Sequence, residues 1–281
     1  MLAAMSEEAR RNRTRTHLLS RTVICVVNAG ALGTLFANPQ HRATSLIDML
    51  LRTYLIFLGT VMAHEAVHGH LGRSRRANLW WGSVALLGSM VPFTNFRKTH
   101  RLHHAHTNLP DKDPDYFLRS RSALEIPWRA VAMPHHWFFW LRSRGMLTRG
   151  DLVELAVNYA GILTVYGVLL ILVGPARLAS GMGPPLVLTS LLLWYVFAIK
   201  THEGYSTGSA ESRSHNYYGR AMYWFSLGLS MHRAHHLQPG LTWLALRDHV
   251  ERAPAPGVSL VPRRDVGSAA VFHESLDGIG G

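Results

Sequence analysis

The chain has 281 residues, of which 48% are hydrophobic and 16% charged, and its formal net charge is +12. Its single cysteine, Cys25, excludes an internal disulfide framework, a cysteine-based zinc ribbon and an iron–sulfur cluster with four cysteine ligands. The positive charge is not accompanied by a basic motif with interleaved aromatic residues, so we expect no nucleic-acid partner.

Apolar runs along the chain approach the roughly 20 residues that a helix needs to cross a bilayer. We predict an all-α integral membrane protein, a four-span helical bundle, with spans at about residues 23–37, 45–63, 152–173 and 184–199. A fifth apolar stretch, residues 79–96, contains Gly82, Gly88 and Pro92 and is predicted to be a re-entrant or interfacial element.

The spans divide the chain into a basic N-terminal segment (1–21), a membrane domain (22–252) and a Pro/Gly-rich tail (253–281) that we expect to be flexible. No cleavable signal is evident, so the first span is expected to be retained.

All but three of the 29 Lys and Arg residues lie before the first span, between the second and third, or after the fourth; the exceptions are Arg42, Arg52 and Arg177. Positive loops stay on the cytoplasmic side, which places both termini and the long central loop there. We expect a bacterial inner membrane.

Two features of the spans and loops leave alternatives open. Arg52 lies four residues after Asp48, so the two share a helix face; they form either a neutralised pair, which we favour, or a relay or substrate contact. Residues 127–144 combine several tryptophans with basic ends, which is typical of an interfacial helix. Its His135 and His136 are better explained as headgroup-level side chains than as metal ligands.

Twelve of the 18 histidines lie in two stretches, residues 64–106 and 202–236, both on the predicted cytoplasmic side. The first box is HEAVH, with His64 and His68 at i and i+4 on one helix face. The second and third boxes are both of the form HxxHH, in which three rings lie on one side of a helix. Their histidines are His100, His103 and His104 in the second box, and His232, His235 and His236 in the third.

Eight histidines exceed what one tetrahedral metal site uses, whereas two metals with open coordination positions would use nearly all of them. Imidazole suits zinc, copper, iron and nickel alike, so the ligands alone do not identify the metal. The boxes predict a dimetal site.

The order HxxxH, HxxHH, HxxHH resembles the membrane fatty-acid desaturase and hydroxylase superfamily of histidine-rich di-iron enzymes. The resemblance rests on HEAVHGH at 64–70, HRLHHAHTNLPDKDPD at 100–115 and HRAHHLQPGLTW at 232–243. It implies a four-span bundle capped by cytoplasmic helices, two Fe ions, O2 as co-substrate, and desaturation or hydroxylation of an unactivated C–H bond in a fatty-acyl or related lipid. The sequence departs from many relatives at Glu65, where they have Asp.

The resemblance also implies a ninth ligand shortly after the last span, about thirty residues before the third box. His202 fits this position, because the fourth span delivers it to the same face as the boxes. His215, in the polar stretch 206–218, is the competing candidate.

Three carboxylates near the boxes have two explanations each. Asp113 and Asp115 either accept hydrogen bonds from ligand rings or simply form a turn. Glu65 either accepts such a bond or is solvated. The stretch 206–218 is either a loop over the metal face or a solvent-exposed linker.

Other functions remain open from the sequence. The segment His64–His68 also spells HExxH, which a membrane zinc metalloprotease would use, but this leaves both HxxHH boxes unexplained. A carotenoid-type hydroxylase or ketolase is a second alternative. A non-catalytic metal transporter or sensor would place ionisable groups within several spans, and here the histidines lie outside them.

Oxidation would need an external electron donor, because one cysteine and no haem- or flavin-binding module leave the chain unable to store electrons. We expect a ferredoxin- or cytochrome-like carrier with its reductase, attracted by the arginines around the boxes, alongside contacts with membrane lipids. These arginines are Arg73, Arg75, Arg76, Arg97 and Arg101.

Overall fold

A computed structural model describes residues 7–37, 42–120, 122–217 and 219–247. Within these residues the secondary structure is helical, which confirms the all-α prediction. The predicted tail, 253–281, lies outside them. The helices are α1 Glu7–Gly33, α2 Arg42–Val67, α3 Arg75–Ala85, α4 Phe93–His106, α5 Ile126–Ser143, α6 Arg149–Val173, α7 Pro175–Leu193, α8 Arg220–Phe225 and α9 His232–Leu237. Short 3-10 turns join several of them, and a π-helix, Trp194–Lys200, extends α7.

Four helical segments are long and apolar enough to cross a membrane, as predicted. They are Arg13–Phe36, Ser45–Val67, Arg149–Val173 and Pro175–Lys200. The second and third agree with the expected spans to within a few residues. The first and fourth begin about ten residues earlier than predicted, and each early start has a physical reason.

The first helix continues through the expected boundary at residue 22, because its N-terminal part packs against the rest of the protein. Trp243 donates its indole N–H to Ser20 Oγ at 3.0 Å, and Arg21 donates to the backbone oxygen of Leu71 at 2.7 Å. Thr16, His17 and Ser20 are buried. The end of the basic segment, Thr16 to Arg21, therefore packs against the rest of the described structure.

The fourth span begins at Pro175 and passes through Pro184 and Pro185, where the sequence predicts its start. A proline inside a helix removes the N–H that would bond to the carbonyl four residues earlier. For Pro185 that carbonyl belongs to Gly181, and it accepts a hydrogen bond from the Arg52 guanidinium of α2 instead. A side chain from another helix thus replaces the missing bond.

Arg52 is almost fully buried and joins three helices. It pairs with Asp48 at 2.6 Å within α2, and its Nε donates to the backbone oxygen of Ala31 in α1 at 3.1 Å. It also donates to Thr34 Oγ1, just beyond α1. These contacts support the neutralised pair and give Arg52 a structural role.

The stretch 79–96 forms two helices rather than a crossing. α3 ends at Ala85, a turn with Met90 at a positive φ follows, and α4 begins at Phe93. Neither helix is among the four segments of membrane-spanning length. The aromatic stretch 127–144 is helical, as predicted, and forms α5; its position at a membrane surface stays a prediction.

The spans pack with α2 against α1 and α7, while α6 contacts α7 and α4. α4 lies between the spans and the outer helices, since it packs against α2, α3, α5 and α6. The main core joins residues of α1, α2, α3 and α4 to the C-terminal segment around Trp243. This arrangement brings the ends of α2, α4 and α7 close to α9.

Replacing Arg52 with Met should lower the free energy of unfolding by about 3 kcal/mol, because Asp48 and two helix carbonyls lose a buried partner. Thermal unfolding of the detergent-solubilised protein measures the effect. Arg177→Met is the matched control, since Arg177 makes only an exposed bond to the Ala37 oxygen. Equal melting temperatures for Arg52→Met and wild type would contradict the structural role.

Candidate metal centre

All nine histidines proposed as ligands lie at helix ends that meet on one side of the bundle. His64 is in the last turn of α2 and His68 in the turn that follows. The second box lies in the last two turns of α4, and the third box forms most of α9. His202 follows the π-helix that ends the fourth span.

The nine rings form two clusters, in each of which the ligating atoms lie within 4.8 Å of one another. The first cluster contains His64, His68, His100, His104 and His235. The second cluster contains His103, His202, His232 and His236. The two are adjacent: the rings of His104 and His236 stack at 4.1 Å and 9°.

Each HxxHH box contributes to both clusters, and helix geometry explains the division. One residue advances the helix by about 100°, so residue i+4 lies about 40° to one side of residue i and residue i+3 about 60° to the other. His100 and His104 therefore enter the first cluster while His103 enters the second. In the third box, His232 and His236 enter the second cluster, and His235 alone enters the first. Each HxxHH box thus supplies two rings to one cluster and one ring to the other.

The ring nitrogens are spaced as ligands of a common ion would be. In the first cluster, His104 Nε2 lies 3.0 Å from His100 Nε2 and 3.1 Å from His235 Nε2. In the second, His202 Nε2 lies 3.2 Å from His103 Nε2 and 3.0 Å from His232 Nε2. Nitrogens about 2.1 Å from one ion and at right angles would be about 3.0 Å apart.

Burial keeps most of these rings neutral, which is the form that binds a metal. Burial, together with the neighbouring His103, lowers the pKa of His104 to about 2 and that of His202 to about 3. The pKa values of His100, His232 and His235 are also lowered well below the usual range, mainly by burial. Both ring nitrogens of His64 and Nε2 of His68 are buried without a hydrogen-bond partner. A metal ion would give these nitrogens a partner, so the donor set fits one.

His202 belongs to the second cluster, whereas His215 does not. His202 Nδ1 lies 3.0 Å from the backbone oxygen of Arg213, which holds the proton on Nδ1 and leaves Nε2 free to face the cluster. His215 Nε2 instead contacts the backbone oxygen of Glu203 at 2.9 Å. The described part of the stretch 206–218 lies beside this face, since Asn108 donates to the backbone oxygens of Ser206 and Arg213.

Asp113 performs both of the functions that the sequence left open. Its carboxylate lies 2.9 Å from His103 Nδ1 and accepts the backbone N–H groups of Asn108 and Asp115, each at 2.8 Å. Burial alone would lower the pKa of His103, but the Asp113 charge and hydrogen bond raise it to about 9. The turn and the orientation of the ring therefore depend on one carboxylate.

Asp115 is held differently. Trp137 donates its indole N–H to Asp115 at 2.8 Å, and the carboxyl lies 3.9 Å from His103 Nδ1. Desolvation raises the pKa of Asp115 to about 6. Asp115 thus connects α5 to the ligand-bearing end of α4.

Glu65 is buried and accepts two hydrogen bonds, so it is not a solvated carboxylate. His70 Nδ1 lies 3.0 Å from its carboxylate, and the backbone N–H of Trp243 donates to it at 3.0 Å. The spacing of the boxes did not indicate a role for His70. Its hydrogen bond to Glu65 is evident only in the folded structure. Glu65 ties the end of α2 to the segment after α9.

A cavity of about 540 Å³ begins at the histidines and extends between the spans. Its wall includes His64, His100, His103, His202 and His232, and then mostly apolar side chains. Thr60 and Phe96, one helical turn before His64 and His100, continue the wall, and α7 contributes Leu186 and Leu193. A volume of this size is typical of small-molecule sites.

The structure is that of an integral membrane protein, because four of its helices are long and apolar enough to cross a membrane. Two histidine clusters at the end of an apolar cavity form a candidate dinuclear metal site. The fatty acid desaturase family model matches residues 41–257, and the chain belongs to that family.

Two curated relatives have similar sequences over shorter regions. The omega-3 fatty acid desaturase fat-1 of Caenorhabditis elegans is 28% identical over 110 residues, which are 37% of this chain and 26% of that protein. The sn-1 acyl-lipid omega-3 desaturase (ferredoxin) of Synechocystis sp. is 33% identical over 57 residues, 20% of this chain and 16% of that protein. The matches therefore cover about a quarter or less of each relative's length.

Replacing Asp113 with Asn should lower the free energy of unfolding of the metal-free protein by about 2 kcal/mol, because hydrogen bonds to a buried charge are lost or weakened. Asp111→Asn is the matched control, since Asp111 lies in the same loop and is exposed. Thermal unfolding compares the two variants with wild type. Equal shifts for both variants would show that the Asp113 carboxylate does not hold this loop.

Proposed function

We propose that the protein desaturates fatty-acyl chains of lipids, using O2 and two irons held by the two histidine clusters. The convergence of nine imidazoles into two adjacent clusters at the end of an apolar cavity is the observation that carries this proposal. Membership of the fatty acid desaturase family supports an acyl substrate and makes desaturation preferable to hydroxylation.

One iron would be held by the first cluster and the other by the second. Imidazole donors do not distinguish iron from zinc or copper, so the proposal of iron rests on the resemblance to histidine-rich di-iron enzymes, which membership of the family supports. Bound iron would supply the oxidising power that removes hydrogen from an unactivated methylene, drawing on O2 and externally supplied electrons.

The residues of the chain would prepare the site for that chemistry. Phe96 and Phe197 line the cavity beside the histidines, where they would exclude water and hold a methylene against the clusters. Asp113 keeps the proton of His103 on Nδ1, and the Arg213 carbonyl does the same for His202. Each bond leaves Nε2 available for a metal and fixes the direction of the ring.

The electrons would come from a separate acidic carrier, such as a ferredoxin with its reductase. The sole cysteine, Cys25, cannot bind an iron–sulfur cluster by itself. The name of the Synechocystis relative includes ferredoxin, which supports this class of donor. Arg73, Arg76 and Arg101 are exposed near the first two boxes and suit an acidic partner, and Arg75 is also exposed, although it pairs with Glu154. Arg97 does not belong to this surface, because it is buried and paired with Glu154.

The distribution of Lys and Arg supports a topology with both termini and the histidine clusters on the cytoplasmic side.

The metalloprotease alternative is disfavoured by the environment of Glu65. A general base must reach the substrate, whereas this carboxylate is occupied by His70 and Trp243.

The purified protein, loaded with iron and given O2 and an unsaturated phospholipid, should form an additional double bond only when ferredoxin, its reductase and NADPH are present. Mass spectrometry of the released fatty acids measures the product. His103→Ala should abolish it. If the product is hydroxylated instead, the proposed reaction is wrong and the enzyme is a hydroxylase. Turnover without a donor would refute the need for an external electron carrier.

The iron content should fall towards one atom per chain in His202→Ala and stay unchanged in His215→Ala, because only His202 faces a cluster. Metal analysis of the purified variants checks this. Loss of iron only in His215→Ala would show that the 206–218 loop supplies the ligand.

A further inference from the structure

A second cavity, of about 520 Å³, lies beside the segment that follows the second box. It shares Asp113 and Tyr116 with the apolar cavity, so the 3-10 turn Pro114–Leu118 separates the two cavities. Three arginines line this second cavity, which we call the arginine groove: Arg119, Arg129 and Arg144.

One face of α5 forms a wall of the arginine groove. Arg129, His136 and Trp140 follow one another at spacings of seven and four residues, and Arg144 comes four residues later, just after the helix ends. Residues at these spacings share a helix face, and 15 helical residues span about 22 Å. The groove therefore runs along α5, with an arginine from this wall near each end.

Aromatic rings hold the three guanidinium groups in place. Each guanidinium lies 4.0 to 5.4 Å from the centroid of a ring: Arg129 over Phe117, Arg144 over Trp140 and Arg119 over Tyr116. A cation at this distance is attracted by the face of the ring, while its N–H groups stay available as hydrogen-bond donors. The arginines are thus oriented before any ligand binds.

The two carboxylates that line the groove already have positively charged or hydrogen-bonding partners. Asp113 lies 2.9 Å from His103 Nδ1, and Glu125 pairs with Arg129 at 3.0 Å. Arg129 also donates to the Phe117 carbonyl at 2.7 Å, and its Nε is buried without a hydrogen-bond partner. These carboxylates therefore do not neutralise the other two arginines.

Arg119 and Arg144 are exposed, and neither forms an ion pair within the part of the chain that the structure describes. Arg119 donates to the hydroxyl of the tyrosine beneath it, and Arg144 donates to a backbone oxygen at 3.4 Å. Burial lowers the pKa of His136, and the charges of Arg144 and Arg129 lower it further, against a hydrogen bond to Pro114 that raises it. The groove thus has a positive potential that its own residues do not balance.

We propose that the arginine groove binds a phosphate-bearing molecule at a site separate from the apolar cavity. Guanidinium groups bind phosphate oxygens through paired N–H bonds, and a phosphate group carries up to two negative charges. A cavity of about 520 Å³ has the size of small-molecule sites, so the phosphate belongs to an organic molecule whose remainder lies along α5. A soluble nucleotide and a phospholipid headgroup both supply this chemistry.

This inference goes beyond the proposed function and does not depend on it. The groove lies between α5 and the turn that follows Asp113, so a ligand bonded to both walls would tie them together. Ligand binding should therefore stabilise the folded protein, since only the folded chain brings these arginines together.

The test uses the full chain in detergent, with one probe for each source of phosphate. Binding of adenosine diphosphate, the soluble probe, is measured by equilibrium dialysis. Native mass spectrometry compares binding of phosphatidic acid, the lipid probe, with that of the diacylglycerol that has the same acyl chains and no phosphate. Arg119→Gln and Arg144→Gln remove the charges, separately and together. Arg142→Gln is the matched control, since Arg142 is exposed in the last turn of α5 and does not line the groove.

We expect wild type and Arg142→Gln to bind adenosine diphosphate, or to bind phosphatidic acid in preference to diacylglycerol, and the probe that binds identifies the source. The double variant should bind that probe at least about tenfold more weakly, because hydrogen bonds to a charged group are lost. The probe should also raise the melting temperature of wild type and leave that of the double variant unchanged. If the double variant does not fold, the single variants give the same comparison.

Binding of neither probe by wild type would overturn the proposal. Equal binding by wild type and the arginine groove variants would also overturn it, because the phosphate would then be held elsewhere. An equal loss in Arg142→Gln would show that only the net charge of this region matters. Binding is measured without turnover, so each of these outcomes leaves the proposed desaturation intact.

Discussion

The structure depends on one constraint: nine imidazole rings from four segments must lie together, shielded from water and mostly uncharged. Crowded cationic rings would repel one another, so burial, which favours the neutral form, is a condition for the clusters to exist. The exception is His103, beside the negative charge of Asp113. The spans and connecting helices hold the ligand-bearing ends at one level, and Asp113, the Arg213 carbonyl and neighbouring helices fix the rings.

The sequence predicted those aspects of the fold and site that depend on short-range spacing. Apolar run length identified four spans, and the i, i+3 and i+4 spacings identified the histidines that converge. The resemblance to the family, together with its position just after the last span, selected His202, and His202 lies in the second cluster. The division of each HxxHH box between two clusters was missed, although the difference of about 100° between successive residues already implies it.

Features that depend on distant residues could not be predicted. Pro184 and Pro185 indicated the start of a helix, because nothing nearby in the sequence shows that Arg52 satisfies the carbonyl freed by Pro185. The partners of Glu65 include Trp243, 178 positions away. The spacing of Asp113 in the sequence did not show whether it forms a turn or accepts a hydrogen bond from a ligand ring. In the folded loop it does both.

The π-helix at the end of the fourth span sets the length that this span can have. A π-helix accommodates wider turns than an α-helix, with bonds from i to i+5. If the segment were rewound as an α-helix with all of its residues kept, His202 would rotate by about 100° relative to the rest of the span, away from its cluster. The register of the chain is therefore part of the coordination chemistry: a residue inserted or deleted between Pro185 and the π-helix should displace His202, because the Arg52 bond anchors this helix at Gly181.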